Sequence, residues 1–375
     1  MEKIKFKIDH IDPLGQGISK SGDQVAFIEK VLPGEEGYID PIKSKKKGRL
    51  IFSRLLEKSS LTVASERRIK AECEHFNQCA GCHFLHTDYE NEIAIKKTTA
   101  KKLFSYLPQI KAEVEVICAP ERFGYRNRLQ LHYNNETMEL GLVDPLKSQI
   151  VKIENCKIAN QAVSNKVKEI YQDNAWEKLT KFEKNTGHIE IYDYDGKVEL
   201  NINKNYAHGG FSQVNEQMNE KMKAHLHSEV RKYVPSEHLL LDLFGGGGNL
   251  SKELTEYETL VIDGFPPSSP TFGNHQTFKE INLYSKDAIS KIQKEAKANK
   301  ERSIILDPPR SGMKNLQEVI EKLSPNYIFM INCEVSSAIR DLKSLDLNFE
   351  ILNATIFDLF PGTRHFETFT TIRVC

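Results

Sequence analysis

The sequence lacks the long apolar runs that mark secretory signals and membrane spans. No segment approaches the ~18 consecutive apolar residues of a transmembrane helix, and the opening MEKIKFKIDH alternates lysine with apolar residues. Only seven of the 375 residues are cysteine. We therefore expect a cytoplasmic protein with reduced thiols, in which clustered cysteines indicate a metal site or a catalytic group rather than disulfides.

The sequence also has no net charge. Its 52 lysines and arginines balance 52 aspartates and glutamates, which disfavours unspecific binding to polyanions. The charge is unevenly distributed, because residues 41–70 carry ten Lys or Arg against two Asp or Glu, an excess of eight. This stretch is either a phosphate-binding patch for nucleic acid or a solvated loop, and the sequence leaves both open.

Three segments with different patterns divide the chain. Residues 1–58 contain short apolar runs separated by glycine and proline turns, which favours a small OB-like β-barrel. Residues 59–205 combine a helical stretch with strands such as EVEVICA and an Asp-Gly hairpin signal, which predicts a central α+β domain. In residues 206–375, short apolar strands are spaced by helices, which predicts a doubly wound α/β domain.

The last segment has a clear order of elements. The strand HLLLDLF enters GGGGNLS, and a helix is expected to begin near Ser251. Further strands end in VIDGF, LDPPR and FMINC. The final two strands, in FEILNATIFDLF and HFETFTTIRVC, are joined by a turn too short for a helix, so they should form an antiparallel edge of the sheet.

The glycine run marks a candidate ligand site. Glycine lets the backbone turn tightly and approach a ligand closely. No Gly-Lys-Ser/Thr follows, which disfavours a P-loop. Asp263 ends the next strand, where it can accept both hydroxyls of a ribose or cap its own strand. The arrangement suits either dehydrogenation with a dinucleotide or methyl transfer from S-adenosylmethionine.

The sequence LDPPR decides between these chemistries. Two prolines after a strand fix the backbone beside the ligand pocket, with Asp307 as an acceptor at the carboxyl edge of the sheet. An Asp-Pro-Pro at this point is typical of base-modifying methyltransferases and has little place in a dehydrogenase.

Cys333 ends the strand FMINC and should lie at the same edge, either as an inert packing residue or as a nucleophile. A uracil methyltransferase needs a thiolate, because carbon 5 of uracil is a poor nucleophile. Addition of sulfur to carbon 6 gives an enolate whose carbon 5 attacks the methyl group. A base then removes the carbon 5 proton so that the cysteine leaves. Glu367 is the preferred base, and His365 is the alternative.

Several motifs occur in order across nearly the whole chain: FGYRNR, FSQVN, LDLFGGGGN, LDPPRSG, FMINC and DLFPGTRHFE. Together they resemble the RNA uridine-5-methyltransferases, which make 5-methyluridine in ribosomal or transfer RNA. The resemblance implies a Rossmann-like domain that uses S-adenosylmethionine, with Cys333 as nucleophile and Glu367 as base, and it likens the N-terminal barrel to a TRAM domain. The residues implied to contact or border the cofactor are Gln213, Phe244, Gly246, Asp263, Asn282 and Asp307.

Four cysteines form a candidate metal site. Cys73, Cys79 and Cys82 have the spacing C-x5-C-x2-C, and Cys156 is the fourth candidate. Four thiolates suit either a cubane iron–sulfur cluster or tetrahedral zinc, and spacing alone does not separate them. The resemblance implies a [4Fe-4S] cluster, which four protein ligands would close as a structural element. The remaining two cysteines, at positions 118 and 375, match no site.

The target uridine must be unpaired or flipped out before a thiolate can reach carbon 6. Aromatic rings and arginines suit stacking on RNA bases and contacts with the RNA backbone. The predicted RNA-binding residues are Phe123, Tyr125, Arg126, Arg128 and Phe211. For the arginines, the alternative is pairing with nearby acids. The barrel and the cysteines favour large-subunit ribosomal RNA as substrate, transfer RNA is the alternative, and a monomer without an obligate protein partner is expected.

The chain departs from the family pattern near the expected cofactor. Gly245 stands where the family usually has cysteine, Asp263 where it has glutamate, and Glu334-Val335 where it favours Asn-Pro. A proline-rich stretch, DGFPPSSPTFGNHQ, replaces the start of a helix. These departures leave an RNA-binding protein with an inactive pocket as one rival function, and the Asp-Pro-Pro motif leaves methylation of an exocyclic amine of adenine or cytosine as a second. The residue after the two prolines, Arg310, and the cysteine in FMINC both disfavour the second.

Overall fold

The computed structural model describes residues 3–56, 60–110, 112–194, 196–204, 213–266, 272–296 and 300–375. Phe211 and residues 267–271 of the proline-rich stretch lie outside the described residues. Within the described ranges, no helix is both long and apolar enough to cross a membrane. The chain forms two compact units. The first contains residues 1–99, 120–216 and 360–364, and the second contains residues 100–119, 217–359 and 365–375.

The described strands are β1 (Ile4–Lys7), β2 (His10–Ile11), β3 (Gln16–Ser21), β4 (Gln24–Glu29), β5 (Glu36–Ile39), β6 (Lys43–Lys45), β7 (Leu50–Arg54), β8 (Leu61–Val63), β9 (Val114–Ile117), β10 (Arg128–Asn134), β11 (Glu139–Asp144), β12 (Gln149–Val151), β13 (Thr186–Tyr194), β14 (Lys197–Ile202), β15 (Leu239–Leu243), β16 (Glu258–Asp263), β17 (Gln276–Glu280), β18 (Arg302–Leu306), β19 (Tyr327–Asn332), β20 (Phe349–Phe357) and β21 (Glu367–Val374). The described helices are α1 (Tyr89–Phe104), α2 (Gln161–Tyr171), α3 (Ala175–Thr180), α4 (Glu216–Tyr233), α5 (Ala288–Glu295), α6 (Leu316–Leu323) and α7 (Val335–Lys343).

The first unit begins with short strands in two sheets, ordered β1-β5-β8 and β2-β3-β4-β7-β6. Burial alternates along β4, so one face of the strand lies on an apolar core that includes Phe6, Ile28 and Leu32. Strand β8 lies beyond residue 58, so this strand-rich part is slightly longer than the segment predicted for the barrel.

The rest of the first unit contains an antiparallel sheet of order β12-β11-β10-β13-β14. Helix α2 packs against β13 and β14, and its buried residues Val163 and Val167 share a core with Leu131 and Ile189. Strands β13 and β14 are antiparallel, and Tyr194 at the end of β13 pairs with Lys197 at the start of β14. This pairing confirms the hairpin that the Asp-Gly signal predicts. The cysteine-bearing loop precedes α1 in the chain.

The second unit contains a sheet of order β17-β16-β15-β18-β19-β21-β20-β9. Strands β15 to β19 pair in parallel, whereas β21 is antiparallel to both β19 and β20. The core joins buried strand residues such as Leu241 and Ile304 to helix residues such as Ile292 and Val319. Parallel strands need helical crossovers that cover the sheet, so their side chains are buried along most of their length.

Two details of this unit differ from the sequence-based expectations. The antiparallel pairing of β20 and β21 is confirmed, but the pair is not at the edge, because β9 pairs in parallel with β20. The sequence pattern places EVEVICA, which forms β9, in the central domain, because its partner is so distant in the chain that no local pattern reveals the pairing.

The expected helix near Ser251 is absent from the described residues. Turns replace it, with Leu254 N donating to Ser251 O at 3.1 Å and Tyr257 N donating to Leu254 O at 3.0 Å. The reason is length, because β16 begins at Glu258 and leaves too few residues for a helix that would make its own hydrogen-bonded turns.

Candidate active site

The carboxyl edge of the parallel strands gathers the predicted catalytic residues of the second unit. Strands β15, β18 and β19 end at Leu243, Leu306 and Asn332, so the glycine turn, Asp307 and Cys333 follow at one edge. Strand β21 runs in the opposite direction and begins there, with Thr368 paired to the last residue of β19. The topology therefore brings Glu367 beside Cys333.

Cys333 is a half-buried thiol between charged groups. Burial raises its pKa to about 12, and the carboxyl group of Glu367 contributes to the increase. The Arg310 guanidinium hydrogen-bonds the thiol and lowers the same pKa. Formation of the thiolate near neutral pH therefore requires a change in this environment. Arg310 is a cation placed to stabilise the thiolate.

Glu367 is buried, with 4% of its surface exposed. Burial raises its pKa to about 8, with a further contribution from Asp307, while Arg310 acts in the opposite direction. A carboxyl group whose pKa lies near neutrality exchanges protons readily and is a stronger base once it is ionised. A carboxyl group with a raised pKa beside a thiol can act as a general base in a reaction at that thiol.

Asp242 was missed by the sequence analysis. It is fully buried in β15, where burial raises its pKa to about 7. Burial also raises the pKa of Asp307 to about 7, with a further contribution from Asp242. Ser251 Oγ donates to Asp242 Oδ2 at 2.6 Å, whereas Oδ1 is buried without a hydrogen-bond partner among the described residues. A single acid within the apolar strand LLLDL was the signal that could have revealed it.

The glycine turn is tightly folded at the end of β15. A Cβ atom at Gly245 would lie 2.8 Å from both Asp242 Cγ and Val261 Cγ1, so this conformation requires glycine where the family usually has cysteine. Gly246 has φ of +50° and Gly248 has φ of +72°, which also favour glycine. The departure from the family pattern thus has a structural reason in this chain.

Asp263 and Asn282 both bind backbone amides beside the glycine turn. The two carboxylate oxygens of Asp263 accept from Gly246 N and Phe265 N, both at 3.1 Å. Asn282 Oδ1 accepts from Tyr284 N at 3.0 Å. Asp263 therefore caps its own strand, which is the alternative that the sequence leaves open, and its remaining lone pairs can still accept from a ribose.

The aromatic ring of Phe244 also lies at this edge. Phe244 packs against Tyr284 with ring centroids 5.7 Å apart. Five of the six predicted cofactor residues are therefore at one edge of the sheet in the second unit. The sixth, Gln213, belongs to the first unit, where Asn127 Nδ2 donates to its backbone oxygen at 3.3 Å. The cofactor role of each remains a prediction.

The four predicted metal ligands lie together in the first unit. Cys73, Cys79, Cys82 and Cys156 line one cavity, whose walls also include apolar side chains such as Leu85. Backbone amides point at several of the sulfur atoms: Gly81 N donates to Cys79 Sγ at 3.2 Å, and Cys73 and Cys156 also accept backbone hydrogen bonds. Amide–sulfur hydrogen bonds of this kind are a feature of iron–sulfur sites.

The charges around this cavity suit a cationic metal group. Burial raises the pKa of Cys79 and Cys156, it raises that of Cys82 further, and thiolate charges at the neighbouring cysteines add to each increase. Four thiolates here would thus need a cation to offset their repulsion. Buried Lys30 directly follows β4, and its Nζ donates to Cys79 O at 2.7 Å and to Phe76 O.

The spacing of the thiols bears on the type of metal. Among the described residues, no group of three or more His, Cys, Asp or Glu side chains is arranged to hold a metal ion. Zinc needs all its sulfur ligands about 2.3 Å from one centre. A cubane contains four iron atoms and therefore separates its thiolates more widely. Which group the four thiols hold, a [4Fe-4S] cluster or zinc, stays a prediction.

The FGYRNR segment makes mostly internal contacts. Arg128 is buried, pairs with Glu190 at 3.2 Å and lies over the ring of Tyr192. Arg126 Nε donates to Arg128 O at 2.7 Å, and Tyr125 OH donates to Pro361 O at 3.0 Å. Phe123 is half-buried near the Arg122 guanidinium. Their roles in RNA binding, like that of Phe211 outside the described residues, stay predictions.

Part of the basic stretch at residues 41–70 is neutralised within the first unit. Arg54 has no exposed side-chain surface and pairs with Glu29 and Asp144. Arg68 pairs with Glu35, and exposed Arg67 lies near two acids at 3.4 Å. The lysines of β6 and the following turn are exposed. The exposed charge is therefore concentrated at residues 43–49.

Comparisons with known proteins agree with this geometry. The family described as tRNA (uracil-5-)-methyltransferase matches residues 289–373, which include Cys333 and Glu367. Proteins named 23S rRNA (uracil(1939)-C(5))-methyltransferase RlmD, from Shewanella woodyi and Aliivibrio fischeri, are each 24% identical over 97% of this chain. The alignments cover 94% and 95% of those two proteins.

A solved structure shares the fold. It is the tRNA (uracil-54, C5)-methyltransferase of Pyrococcus abyssi in complex with S-adenosyl-L-homocysteine, with a TM-score of 0.66 and 18% identity over 98% of this chain and 99% of that one. This likeness confirms the α/β methyltransferase fold predicted from the sequence. With the sequence relatives and the geometry of the sheet edge, it leads to one conclusion: the chain is similar, over nearly its whole length, to the RNA (uracil-5-)-methyltransferases.

Proposed function

We propose that the protein transfers a methyl group from S-adenosylmethionine to carbon 5 of a uridine in structured RNA, with large-subunit ribosomal RNA as the favoured substrate. The observation that carries the proposal is the placement of Cys333, Glu367 and Arg310 together at the carboxyl edge of a methyltransferase sheet. The RlmD relatives, which align over nearly their whole length, support both the reaction and the ribosomal substrate.

In the first step, the Cys333 sulfur forms a bond to carbon 6 of the uridine. The electron pair of the C5–C6 double bond moves onto the ring as an enolate, and carbon 5 becomes nucleophilic. Because burial raises the pKa of Cys333 to about 12, the thiolate must be stabilised as substrate binds. The Arg310 guanidinium, which hydrogen-bonds this thiol, supplies positive charge at that point.

In the second step, carbon 5 attacks the methyl carbon, and the bond from that carbon to the sulfonium sulfur breaks. S-adenosylmethionine supplies the electrophilic methyl group and leaves as S-adenosylhomocysteine. Glu367 then accepts the proton from carbon 5, the C5–C6 double bond re-forms, and Cys333 leaves as the thiolate. The cofactor would lie against Phe244, Gly246, Asp263, Asn282 and Asp307, with Gln213 as a further contact.

The proposal includes a [4Fe-4S] cluster held by Cys73, Cys79, Cys82 and Cys156, with zinc as the alternative. The shared cavity and the amide–sulfur hydrogen bonds support it. When bound, the group would cross-link residue 156 to the loop at 73–82. It has no open ligand position in this assignment, so its role is structural.

We further propose the domain roles and partners implied by the family. Residues 1–58 would form a TRAM-like barrel, residues 59–205 the cluster domain, and residues 206–375 the methyltransferase domain, except that β9 belongs to the methyltransferase sheet. The barrel, the FGYRNR segment and Phe211 would contact RNA. A monomer acting in the cytoplasm, where ribosomal RNA is available, completes the proposal.

The test is methylation of defined RNA. Purified protein with S-adenosylmethionine would be incubated with transcripts of large-subunit RNA, small-subunit RNA and transfer RNA, and nucleosides would be measured by mass spectrometry. We expect 5-methyluridine in the large-subunit transcript. If 5-methyluridine formed only in transfer RNA, transfer RNA would be the substrate instead. Methylation of an adenine or cytosine amine, or binding to RNA without any methylation, would overturn the proposal.

A further inference from the structure

A short turn precedes the proposed base in the chain. This turn, residues Phe360–Arg364, closes on itself through Thr363, whose N and Oγ1 donate to Phe360 O at 3.1 and 2.9 Å. It belongs to the first unit. From there the chain continues through His365 and Phe366 to Glu367, which is three residues after the turn.

The cysteine loop holds this turn from one side. The backbone amides of His83 and Phe84, the two residues after Cys82, donate to Gly362 O at 2.7 and 3.0 Å. Gly362 has φ of +78°, and a Cβ atom there would lie 2.8 Å from Leu85 Cδ2. Glycine is required at this position because the loop approaches so closely.

Helix α1 holds the same turn through a buried carboxylate. Glu92 Oε1 accepts from Gly362 N at 2.6 Å, and Glu92 also pairs with Lys96 at 2.8 Å and with Arg122 at 2.9 Å. Lys96 Nζ donates to Phe360 O at 3.3 Å. Glu92 has 0% exposed surface, so its charge is placed against these donors rather than against water.

Tyr125 completes the contacts with the turn. Its hydroxyl donates to Pro361 O at 3.0 Å. Three consecutive residues of the turn are thus bound by side chains or amides from three separate segments: the cysteine loop, α1 and the FGYRNR segment. A surface turn needs no such set of contacts for its own stability, since water would satisfy its backbone groups.

We propose that these contacts form a clamp that positions Glu367 for proton removal, with Glu92 and Tyr125 as positioning residues. The inference rests on the proposed function and adds to it a role for three segments that lie outside the catalytic edge. A general base must be within hydrogen-bond reach of the proton that it removes, and small displacements carry large rate penalties. Loosening the turn would displace the base.

The clamp predicts a specific kinetic signature. Addition of Cys333 to carbon 6 and methyl transfer do not require the base, whereas loss of the carbon 5 proton does. Weakening the clamp therefore slows the last step alone, so methylated RNA should stay covalently bound to the enzyme. We expect kcat and KM for RNA to fall together, with kcat/KM nearly unchanged, whereas a lost stacking contact with RNA would raise KM.

The first test variant is Tyr125→Phe, which keeps the ring and removes only the hydroxyl that binds Pro361. Its matched control is Tyr171→Phe, which removes a hydroxyl that donates to Leu140 O at 2.7 Å in the same unit but away from the turn. The second variant, Glu92→Gln, keeps the size of the side chain. Covalent complexes with uridine RNA would be quantified on denaturing gels together with kcat and KM.

We expect the covalent fraction to rise about threefold or more in Tyr125→Phe and further in Glu92→Gln, with kcat reduced by about tenfold in the latter, and with Tyr171→Phe matching the wild type. If Glu92→Gln does not fold, Tyr125→Phe decides alone. A wild-type covalent fraction in the folded variants, or an equal rise in Tyr171→Phe, would overturn the clamp while wild-type methylation leaves the proposed function intact. Absence of methylation by the wild type would overturn both.

Discussion

Two sites with partly buried thiols in this chain differ in what surrounds the sulfur atoms. In the first unit, Cys79 and Cys82 have other thiols as neighbours, with buried Lys30 beside them. In the second unit, Cys333 has carboxyl groups and Arg310 around it. Burial raises the pKa of the thiol in both places, so burial alone does not separate a ligand from a nucleophile.

The partners separate the two roles. Thiols that face each other around a cavity can all ionise only with a permanent cation between them, which is the property of a metal site. A single thiol beside an acid and a guanidinium can ionise, form a bond to a substrate, and leave again as the thiolate when the product is released. We therefore propose that neighbouring charge sets the function of each cysteine, and each prediction below changes one side of the comparison.

The largest effect is expected at the single thiol. Cys333→Ala removes the nucleophile and should lower methylation by about 10⁴-fold or more, since no other group can activate carbon 5. The affinity for S-adenosylmethionine, measured by calorimetry, should not change. The control is Cys375→Ala, which alters an exposed cysteine and should leave activity intact. Retention of more than about 1% activity by Cys333→Ala would contradict the assignment.

The next largest effect concerns the acid beside that thiol. Glu367→Gln keeps the shape of the side chain and removes the base, so turnover should fall by about 10²–10⁴-fold. Methylated RNA should accumulate as a covalent complex, detected by gel shift under denaturing conditions and by mass spectrometry. A variant that turns over at the wild-type rate would show that another residue, such as His365, removes the proton.

A smaller effect on catalysis is expected at the thiols of the first unit. Cys82→Ser should abolish iron binding and visible absorbance, and it should lower methylation by about tenfold because the adjacent amides hold Gly362. Cys118→Ser alters an exposed cysteine and serves as the control. The wild-type protein would also be purified in the absence of oxygen and its metal content measured. One equivalent of zinc and no iron would show that the site holds zinc rather than a cluster.

Stability should depend on pH through the buried acid. The pKa of Glu367 is raised from 4.5 to about 8 by burial, so between these values the folded protein binds more protons than the unfolded chain. This group's contribution therefore makes the free energy of unfolding fall as pH rises through that range. Glu367→Gln removes this contribution and should be more stable than wild type by about 1–3 kcal/mol at pH 8.5.

Urea unfolding at two pH values provides the measurement. At pH 4.5 or slightly above, the two proteins should have similar stability, because Glu367 is protonated in the folded state and neutral like glutamine. A difference that is the same at both pH values would show that packing, rather than ionisation, distinguishes them.

The smallest effect is expected in the basic stretch. Lys45→Gln with Lys47→Gln removes two exposed charges and should weaken RNA binding a few-fold, while reducing the salt dependence of the affinity by about one to two counterions. Arg67→Gln, in which the removed charge already lies near two acids, should change the salt dependence less. If the salt dependence of RNA affinity were the same for the wild type, the double lysine variant and Arg67→Gln, residues 41–70 would be a solvated loop.

The catalytic edge could be predicted from the sequence because its signals are local. Parallel strands end at a common edge, so Asp307 and Cys333 are placed together by the strands that precede them. Arg310 was visible in LDPPR, but its hydrogen bond to the thiol was not, because nothing in the sequence indicates where a long side chain points.

The clamp could not be predicted, for a different reason. Glu92 and Lys96 are spaced i, i+4 on α1, a pattern that usually indicates a solvent-exposed ion pair. Both are buried here because they contact the turn at Gly362, which comes 270 residues later in the chain. The pairing of β9 with β20 also joins distant parts of the chain, since Val114 pairs with Ala354. Local patterns contain no information about such contacts.

The most direct test of the central claim uses RNA that contains 5-fluorouridine. Fluorine at carbon 5 cannot be removed as a proton, so an enzyme that adds sulfur to carbon 6 and transfers the methyl group is trapped on its substrate. We predict a covalent complex that forms only with S-adenosylmethionine and whose cross-linked peptide contains Cys333. A complex that also forms with Cys333→Ala, or full methylation of uridine RNA without any trapping by the fluorinated RNA, would contradict the account.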